Sequence, residues 1–167
     1  MNFTIMKVLL AVDSSPCSEA ATDAVLTQFR PEETEVLVLH VDEWARHISP
    51  ELAFAEGPNA ADDVLEQRAR IRREGQTLMH RSAQRLRAAR FTASTEMRSG
   101  DAPQAILECA DAWRPDVIVL GSHARRGVDR LLCGSVSETV LRHAACSVEV
   151  IRVRADSKPV DAHLTTP

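Results

Sequence analysis

The sequence of 167 residues predicts an α/β fold with an open, doubly wound sheet of five mostly parallel strands and helices on both faces. Short β-branched apolar runs alternate along the chain with longer segments of helical periodicity, which is typical of βα units. Apolar residues make up 44% of the chain and charged residues 26%, as in folded domains. The length favours a single domain, which we expect at residues 1–154, followed by a flexible polar tail at 155–167.

Five apolar runs are predicted to be strands, at residues 4–12, 35–41, 92–98, 116–120 and 148–153. The first, second and fourth are continuous enough to be buried on both faces of a sheet. The third contains Glu96 and Arg98, and the fifth contains Glu149 and Arg152. We therefore expect the third and fifth strands at the sheet edges.

The first two helices have clear sequence signals. Ser15 and Pro16 are suited to the cap and the first position of a helix that ends near Pro31. Residues 42–59 are interpreted as a long insertion after the second strand. The second helix, at about 60–89, has an apolar stripe that we expect to face the sheet; it comprises Val64, Leu65, Ile71, Gly75, Leu78, Met79, Ala83 and Leu86.

Two further helices follow the third and fourth strands. Asp101 is the predicted cap of the third helix, which ends before Pro115. The fourth is predicted to begin near Ser135, because residues 135–138 match the capping box S-x-x-E. Its buried stripe is expected to comprise Val136, Val140 and Leu141.

Charge and cysteine usage exclude several classes of protein. The formal net charge of −4 does not favour nucleic acid or an anionic membrane as a partner. The eight arginines between Arg68 and Arg90 are interpreted as a solvated helix face. No apolar run is long enough to span a bilayer, and the first residues lack a secretory leader, so we expect a cytoplasmic protein. Its scattered cysteines are expected to be free thiols rather than metal ligands; they are Cys17, Cys109, Cys133 and Cys146.

The segment after the fourth strand has the strongest functional signal. In doubly wound sheets, ligands bind beyond the carboxyl ends of the strands where the strand order reverses. Three of the six glycines, Gly121, Gly127 and Gly134, lie in this segment, and Gly134 opens a helix whose free N–H groups suit a phosphate. Positive charge comes from Arg125, Arg126 and Arg130. From the residues alone, phosphate binding and a glycine-rich turn before a capped helix remain about equally favoured.

Other nucleotide-binding motifs are missing from the sequence. It contains neither G-x-x-x-x-G-K-[ST] nor G-x-G-x-x-G, which argues against a Walker-type NTPase or a dinucleotide-dependent oxidoreductase. Asp13, His123 and Ser135 are compatible with a nucleophilic triad, but no G-x-S-x-G elbow is present. His40 ends a buried strand and is interpreted as a hydrogen-bonded structural residue.

Several segments together resemble the universal stress protein family, in its UspA-like form. They are Gly121-Ser122-His123, residues 130–138 and 142–144, and the landmarks at 7–15, 100–103 and 115–121. The resemblance covers residues 5–154 and implies a Rossmann-like fold of the adenine nucleotide alpha hydrolase type. It also implies a homodimer formed through the last strand, a role in the stress response through protein partners, no catalytic activity beyond slow hydrolysis, and ATP, with Mg²⁺, as the ligand.

The family's ATP-binding motif, G-x-x-G-x9-G-[ST], is matched here with Ala124 in place of its second glycine. Ala124 keeps its N–H, but alanine costs about 1 kcal/mol if that position requires a positive φ. The alternative is therefore a dimer of the same fold that binds no nucleotide. By position, the resemblance implies a nucleotide site formed by Ala11, Val12, Asp13, Ser14, Val41, Leu120, Gly121, Ser122, His123, Ala124, Arg125, Gly134, Ser135, Val136 and Ser137.

Overall fold

The computed structural model describes residues 5–43, 60–122 and 134–153. Most of the expected insertion, the glycine-rich residues 123–133 and the expected tail at 155–167 lie outside the described residues. The predictions for His123, Ala124 and Arg125, and for the thiol of Cys133, therefore fall outside them as well.

Five parallel strands form one sheet with the order β3-β2-β1-β4-β5. The strands are β1 (Met6–Ala11), β2 (Thr34–Asp42), β3 (Thr92–Ser99), β4 (Val117–Ser122) and β5 (Ser147–Arg152). The expected central and edge positions are confirmed. Asp42 was expected to begin the insertion, but it ends β2, because it pairs with Ser99. Gly121 and Ser122 likewise extend β4 by pairing with β5.

The four helices of the described ranges are α1 (Pro16–Gln28), α2 (Ala60–Ala88), α3 (Ala102–Trp113) and α4 (Ser135–His143). A short 3₁₀ helix at Pro31–Glu33 precedes β2. The predicted caps of α1 and α3 are confirmed, since Ser15 accepts a hydrogen bond from Ser18 N and Asp101 accepts one from Gln104 N. No helix in these ranges is long and apolar enough to cross a membrane.

Two apolar layers enclose the sheet, one on each face. On one face, α1 and α2 pack through Ala21, Val25, Met79, Ala83 and Leu86 against Val8, Leu10, Val36 and Val38. On the other face, α3 and α4 pack through Ile106, Cys109, Ala110 and Val140 against Leu9, Leu37, Leu39, Ile118 and Leu120. The sheet is thus covered by helices on both sides, as predicted.

Two leucines that were expected in buried stripes are instead exposed. Leu65 is 61% exposed and Leu141 is 51% exposed. The 29 residues of α2 extend about 43 Å at 1.5 Å per residue, whereas the nine residues of β2 span about 30 Å. The first turns of α2 therefore reach past the sheet. Leu141 lies in the last turn of α4, one position after Val140, which is the residue that packs into the core.

Candidate functional site

The carboxyl ends of β1, β2 and β4 meet at one edge of the sheet. Ala11, the last residue of β1, pairs with Leu39 of β2 on one side and Leu120 of β4 on the other. The strand order runs outward from β1 to β3 and then reverses to β4 and β5. The switch point predicted from the sequence is therefore located between β1 and β4, where ligands bind in folds of this type.

The turn from β1 into α1 is held by side chains within it. The N–H of Asp13 donates to Ser18 Oγ at 2.6 Å, and the N–H of Ser15 donates to Asp13 Oδ1 at 3.0 Å. Val12 is buried, whereas Asp13 and Ser14 are exposed. This side-chain bonding fixes the backbone direction of the turn and presents the two exposed residues at the switch point.

A close approach of two backbones joins α1 to β4. A Cβ atom at Gly121 would lie 2.5 Å from the carbonyl carbon of Cys17 and 2.6 Å from its oxygen. The Cys17 thiol donates to the carbonyl of Ser122 at 3.1 Å. The first turn of α1 therefore packs directly on the end of β4, and only glycine leaves the space for it.

The hydroxyl of Ser122 connects β4 to the beginning of α4. It accepts a hydrogen bond from Gly134 N at 3.1 Å, and the Ser137 hydroxyl lies 3.3 Å from it and 2.9 Å from the carbonyl oxygen of Gly134. Both serines are buried, at 3% and 2% exposure. This network places the N-terminus of α4 at the carboxyl edge of the sheet.

The capping box predicted at Ser135 is wrong. Gly134 is the N-cap residue, and no side chain in the described ranges caps the helix there. Ser135 is instead the first helical residue and is exposed. Local spacing suggested the box, but the hydrogen bond from Gly134 N to Ser122, made across 12 positions, moves the cap back by one residue.

The first turn of α4 is suited to bind an anion. Its first intrahelical hydrogen bond runs from Glu138 N to the carbonyl of Gly134 at 2.9 Å. The N–H groups of Ser135, Val136 and Ser137 precede that bond, so they have no acceptor within the helix. Together with the positive end of the helix dipole, such groups form a phosphate-binding arrangement.

The end of β2 contributes Val41 and a buried acid, Asp42. Val41 is half-buried on the face covered by α3 and α4. Asp42 is 3% exposed, and its Oδ1 has no hydrogen-bond partner among the described residues. Within residues 5–43, 60–122 and 134–153, no three His, Cys, Asp or Glu side chains are placed to hold a metal ion.

Sequence reasoning missed the contacts made by Ser18, Cys17 and Gly75. Gly75 had a usable signal, because a glycine within the apolar stripe of a helix indicates close packing. A Cβ there would lie 2.5 Å from His40 Cδ2 and closer still to Nε2. His40 Nδ1 lies 2.8 Å from the Val12 carbonyl oxygen, which confirms the predicted hydrogen-bonded role of this histidine.

The sequence of this chain matches a known protein family. A family model described as the universal stress protein family matches residues 4–152. The chain belongs to the universal stress protein family. Among curated members, universal stress protein YxiE of Bacillus subtilis is 27% identical over 147 residues, covering 87% of this chain and 98% of the relative. Universal stress protein A homolog 2 of Coxiella burnetii is 28% identical over 156 residues, covering 92% and 97%.

Solved structures of other family members share this fold. UspA from Lactobacillus plantarum has a TM-score of 0.70 at 23% identity, covering 90% of this chain and 100% of that one. An Arabidopsis thaliana member with AMP bound has a TM-score of 0.61 at 21% identity, with coverages of 93% and 97%. The Archaeoglobus fulgidus protein in complex with dAMP has a TM-score of 0.58 at 19% identity, with coverages of 89% and 98%.

Proposed function

We propose that this universal stress protein binds ATP, with Mg²⁺, at the switch point, and that the bound nucleotide controls its interaction with protein partners during stress. In this proposal it is a regulatory module in the cytoplasm and not an enzyme. The observation that carries the proposal is the position of α4, whose N-terminus is fixed at the carboxyl edge through Ser122 and Gly134. Family members with bound AMP and dAMP support an adenine nucleotide as the ligand.

The proposed site has a base half and a phosphate half. Adenine and ribose would lie against Ala11, Val12, Asp13, Ser14 and Val41, which end β1 and β2. The phosphates would lie along the end of β4, from Leu120 to Ser122, beside Gly134, and on the first turn of α4, where Ser135, Val136 and Ser137 offer backbone N–H groups. His123, Ala124 and Arg125 are proposed to complete the phosphate half.

Calorimetric titration of nucleotide-stripped protein with Mg-ATP tests the proposal. We expect saturable binding by the unaltered chain, tighter binding by Ala124→Gly, and loss of binding when Arg125→Ala and Ser135→Ala are combined. The matched control combines Arg142→Ala and Thr139→Ala, which removes similar groups from the far turns of α4 and should leave binding unchanged. Failure of both the unaltered chain and Ala124→Gly to bind would refute the proposal.

A second candidate function is a homodimer that acts through protein partners without nucleotide, and the edge strand β5 favours it. Leu141 in the last turn of α4 and Val153, which directly follows β5, are 51% and 49% exposed. Unpaired strand edges readily pair with a second chain. In such a pair, Glu149 of one β5 could meet Arg152 of the other.

Light scattering after gel filtration tests the homodimer. Leu141→Asp combined with Val153→Asp should yield a monomer, because both side chains are exposed in the isolated chain. Leu65→Asp, an exposed leucine on α2, is the matched control and should remain dimeric. A monomeric unaltered chain would contradict the β5 dimer.

Among the described residues, Cys109 and Cys146 form no disulfide, which supports the proposed cytoplasmic location because reducing compartments keep thiols unpaired. The test is to express the full chain with a tag and to separate the cell fractions. Recovery of the protein in the periplasmic fraction would contradict this location.

A further inference from the structure

We propose that His40 is a positioning residue of the nucleotide site, which sets the separation between the ends of β1 and β2. This inference rests on the proposed function, because those two strand ends form the proposed base half. Its evidence is a contact that crosses from one strand to the next. His40 Nδ1 lies 2.8 Å from the carbonyl oxygen of Val12. Since a carbonyl only accepts, Nδ1 carries the proton and donates.

Both backbone groups of Val12 are therefore bonded to β2. The N–H of Val12 donates to the Leu39 carbonyl at 2.8 Å. The carbonyl of Val12 accepts from the side chain of His40, the residue that follows Leu39 in β2. The regular pairing of β1 with β2 ends at Ala11 and Leu39. The imidazole thus continues the connection between the two strands by one residue beyond the ladder, up to the turn that begins at Asp13.

Helix α2 is shaped to accommodate the ring. A Cβ at Gly75 would lie 2.5 Å from His40 Cδ2 and 3.3 Å from Met97 Cε. Glycine is unfavourable within a helix, and here its small size leaves room for the imidazole between α2 and the sheet. With Gly75 behind it and the Val12 carbonyl in front, the ring has little freedom to move.

The position of the Val12 carbonyl affects the residues that follow. The next N–H, that of Asp13, donates to Ser18 Oγ at 2.6 Å, so the chain is held on both sides of the Val12–Asp13 peptide. On the β2 side, Val41 directly follows His40. One side chain therefore connects the two walls of the base half, while the phosphate half is held separately by Ser122 and Gly134.

Because different contacts hold the base half and the phosphate half, a change at His40 should affect only the ligands that occupy the base half. In His40→Leu, the affinities for Mg-ATP and adenosine should both fall about tenfold, the effect of one hydrogen bond. The affinity for inorganic tripolyphosphate should stay within about twofold, because its contacts do not depend on Val12. His40→Asn should restore binding of both nucleoside ligands, because the Asn amide nitrogen can take the place of Nδ1 as donor.

Gly75→Ala provides an independent test that leaves His40 itself unchanged. The added methyl group should displace the ring from the Val12 carbonyl and weaken Mg-ATP binding, although alanine favours the helix more than glycine does. The matched control is His80→Leu, an exposed histidine of α2 whose ring bonds a carbonyl of its own helix; it should bind Mg-ATP normally. Far-UV circular dichroism verifies that each variant is folded.

Calorimetry with these three ligands, combined with amide hydrogen exchange of residues 13–15 in the ligand-free protein, decides the question. We expect faster exchange in His40→Leu and unaltered exchange in His40→Asn. Equal Mg-ATP affinity in the unaltered chain and in His40→Leu would overturn this inference alone. An equal loss of tripolyphosphate binding, or a failure of His40→Asn to restore binding, would overturn it too. If the unaltered chain bound no Mg-ATP, the proposed function would fail first, and the role of His40 in it would fail as a consequence.

Discussion

Replacing Gly121 with alanine should destabilise the protein through a clash of its new methyl group with a backbone. The added carbon would lie 2.5 Å from Cys17 C, 2.6 Å from Cys17 O and 2.7 Å from Cys17 Cβ, whereas non-bonded carbons are most favourably about 3.5–4.0 Å apart. The first turn of α1 must therefore move by about 1 Å. Overpacking of this kind costs about 1–3 kcal/mol, and losing the Cys17–Ser122 hydrogen bond adds about 1 kcal/mol, so we expect a loss of about 2–4 kcal/mol.

Urea unfolding followed by far-UV circular dichroism measures this loss. An unchanged slope of the unfolding free energy against urea concentration shows that the unfolded state is not affected. Repeating Gly121→Ala in a Cys17→Ala background is the informative control. The clash involves the backbone of Cys17, so removing its thiol should not relieve it. A loss below about 1 kcal/mol in the first experiment, or a full rescue in the second, would show that the close approach is not a rigid constraint.

Three further predictions concern hydrogen bonding, backbone conformation and ionisation. Ser122→Ala removes the buried acceptor for Gly134 N and should lower the free energy of unfolding by about 1–3 kcal/mol, whereas Ser135→Ala should change it by less than about 0.5 kcal/mol; equal losses in urea unfolding would restore the capping-box interpretation. Arg114 ends α3 at φ 55°, a conformation that favours glycine. Arg114→Gly should therefore raise the free energy of unfolding by about 0.5–1 kcal/mol, and with it the melting temperature; a lower melting temperature would contradict this. Burial, with a further contribution from Glu96, raises the pKa of Cys109, so the unfolded chain loses this thiol proton first as the pH rises. Stability should therefore fall on the alkaline side, and the fall should be smaller in Cys109→Ala; an identical pH profile of urea unfolding in both proteins would refute this.

The sequence was sufficient for the order of elements and for the division between central and edge strands. Continuous apolar runs distinguish buried strands, and the charges at Glu96 and Glu149 indicated the edges. Leu65 was predicted incorrectly because helical periodicity identifies a face of α2 without showing where the sheet ends. The extension of β2 to Asp42 depends on pairing with Ser99, which no local pattern contains.

The candidate site was only partly predictable, and the reason is sequence separation. The motif located the ends of β1 and β4 and the beginning of α4. It did not reveal the contact between Cys17 and Ser122, which are 105 positions apart, or the bond between Val12 and His40, which are 28 apart. Side-chain support of this kind depends on tertiary packing, whereas the ligand-facing backbone of a glycine-rich turn has a local signature.

The bond between Ser122 and Gly134 also affects how freely the stretch between them can change. These residues flank positions 123–133, and their Oγ and N atoms are 3.1 Å apart. Because the entropy of closing a loop rises by only about 0.6 kcal/mol for each doubling of its length, the stretch between them can be exchanged, shortened or lengthened at little expense to the rest of the fold. A change in the length of this stretch should therefore leave α4 and the sheet in place.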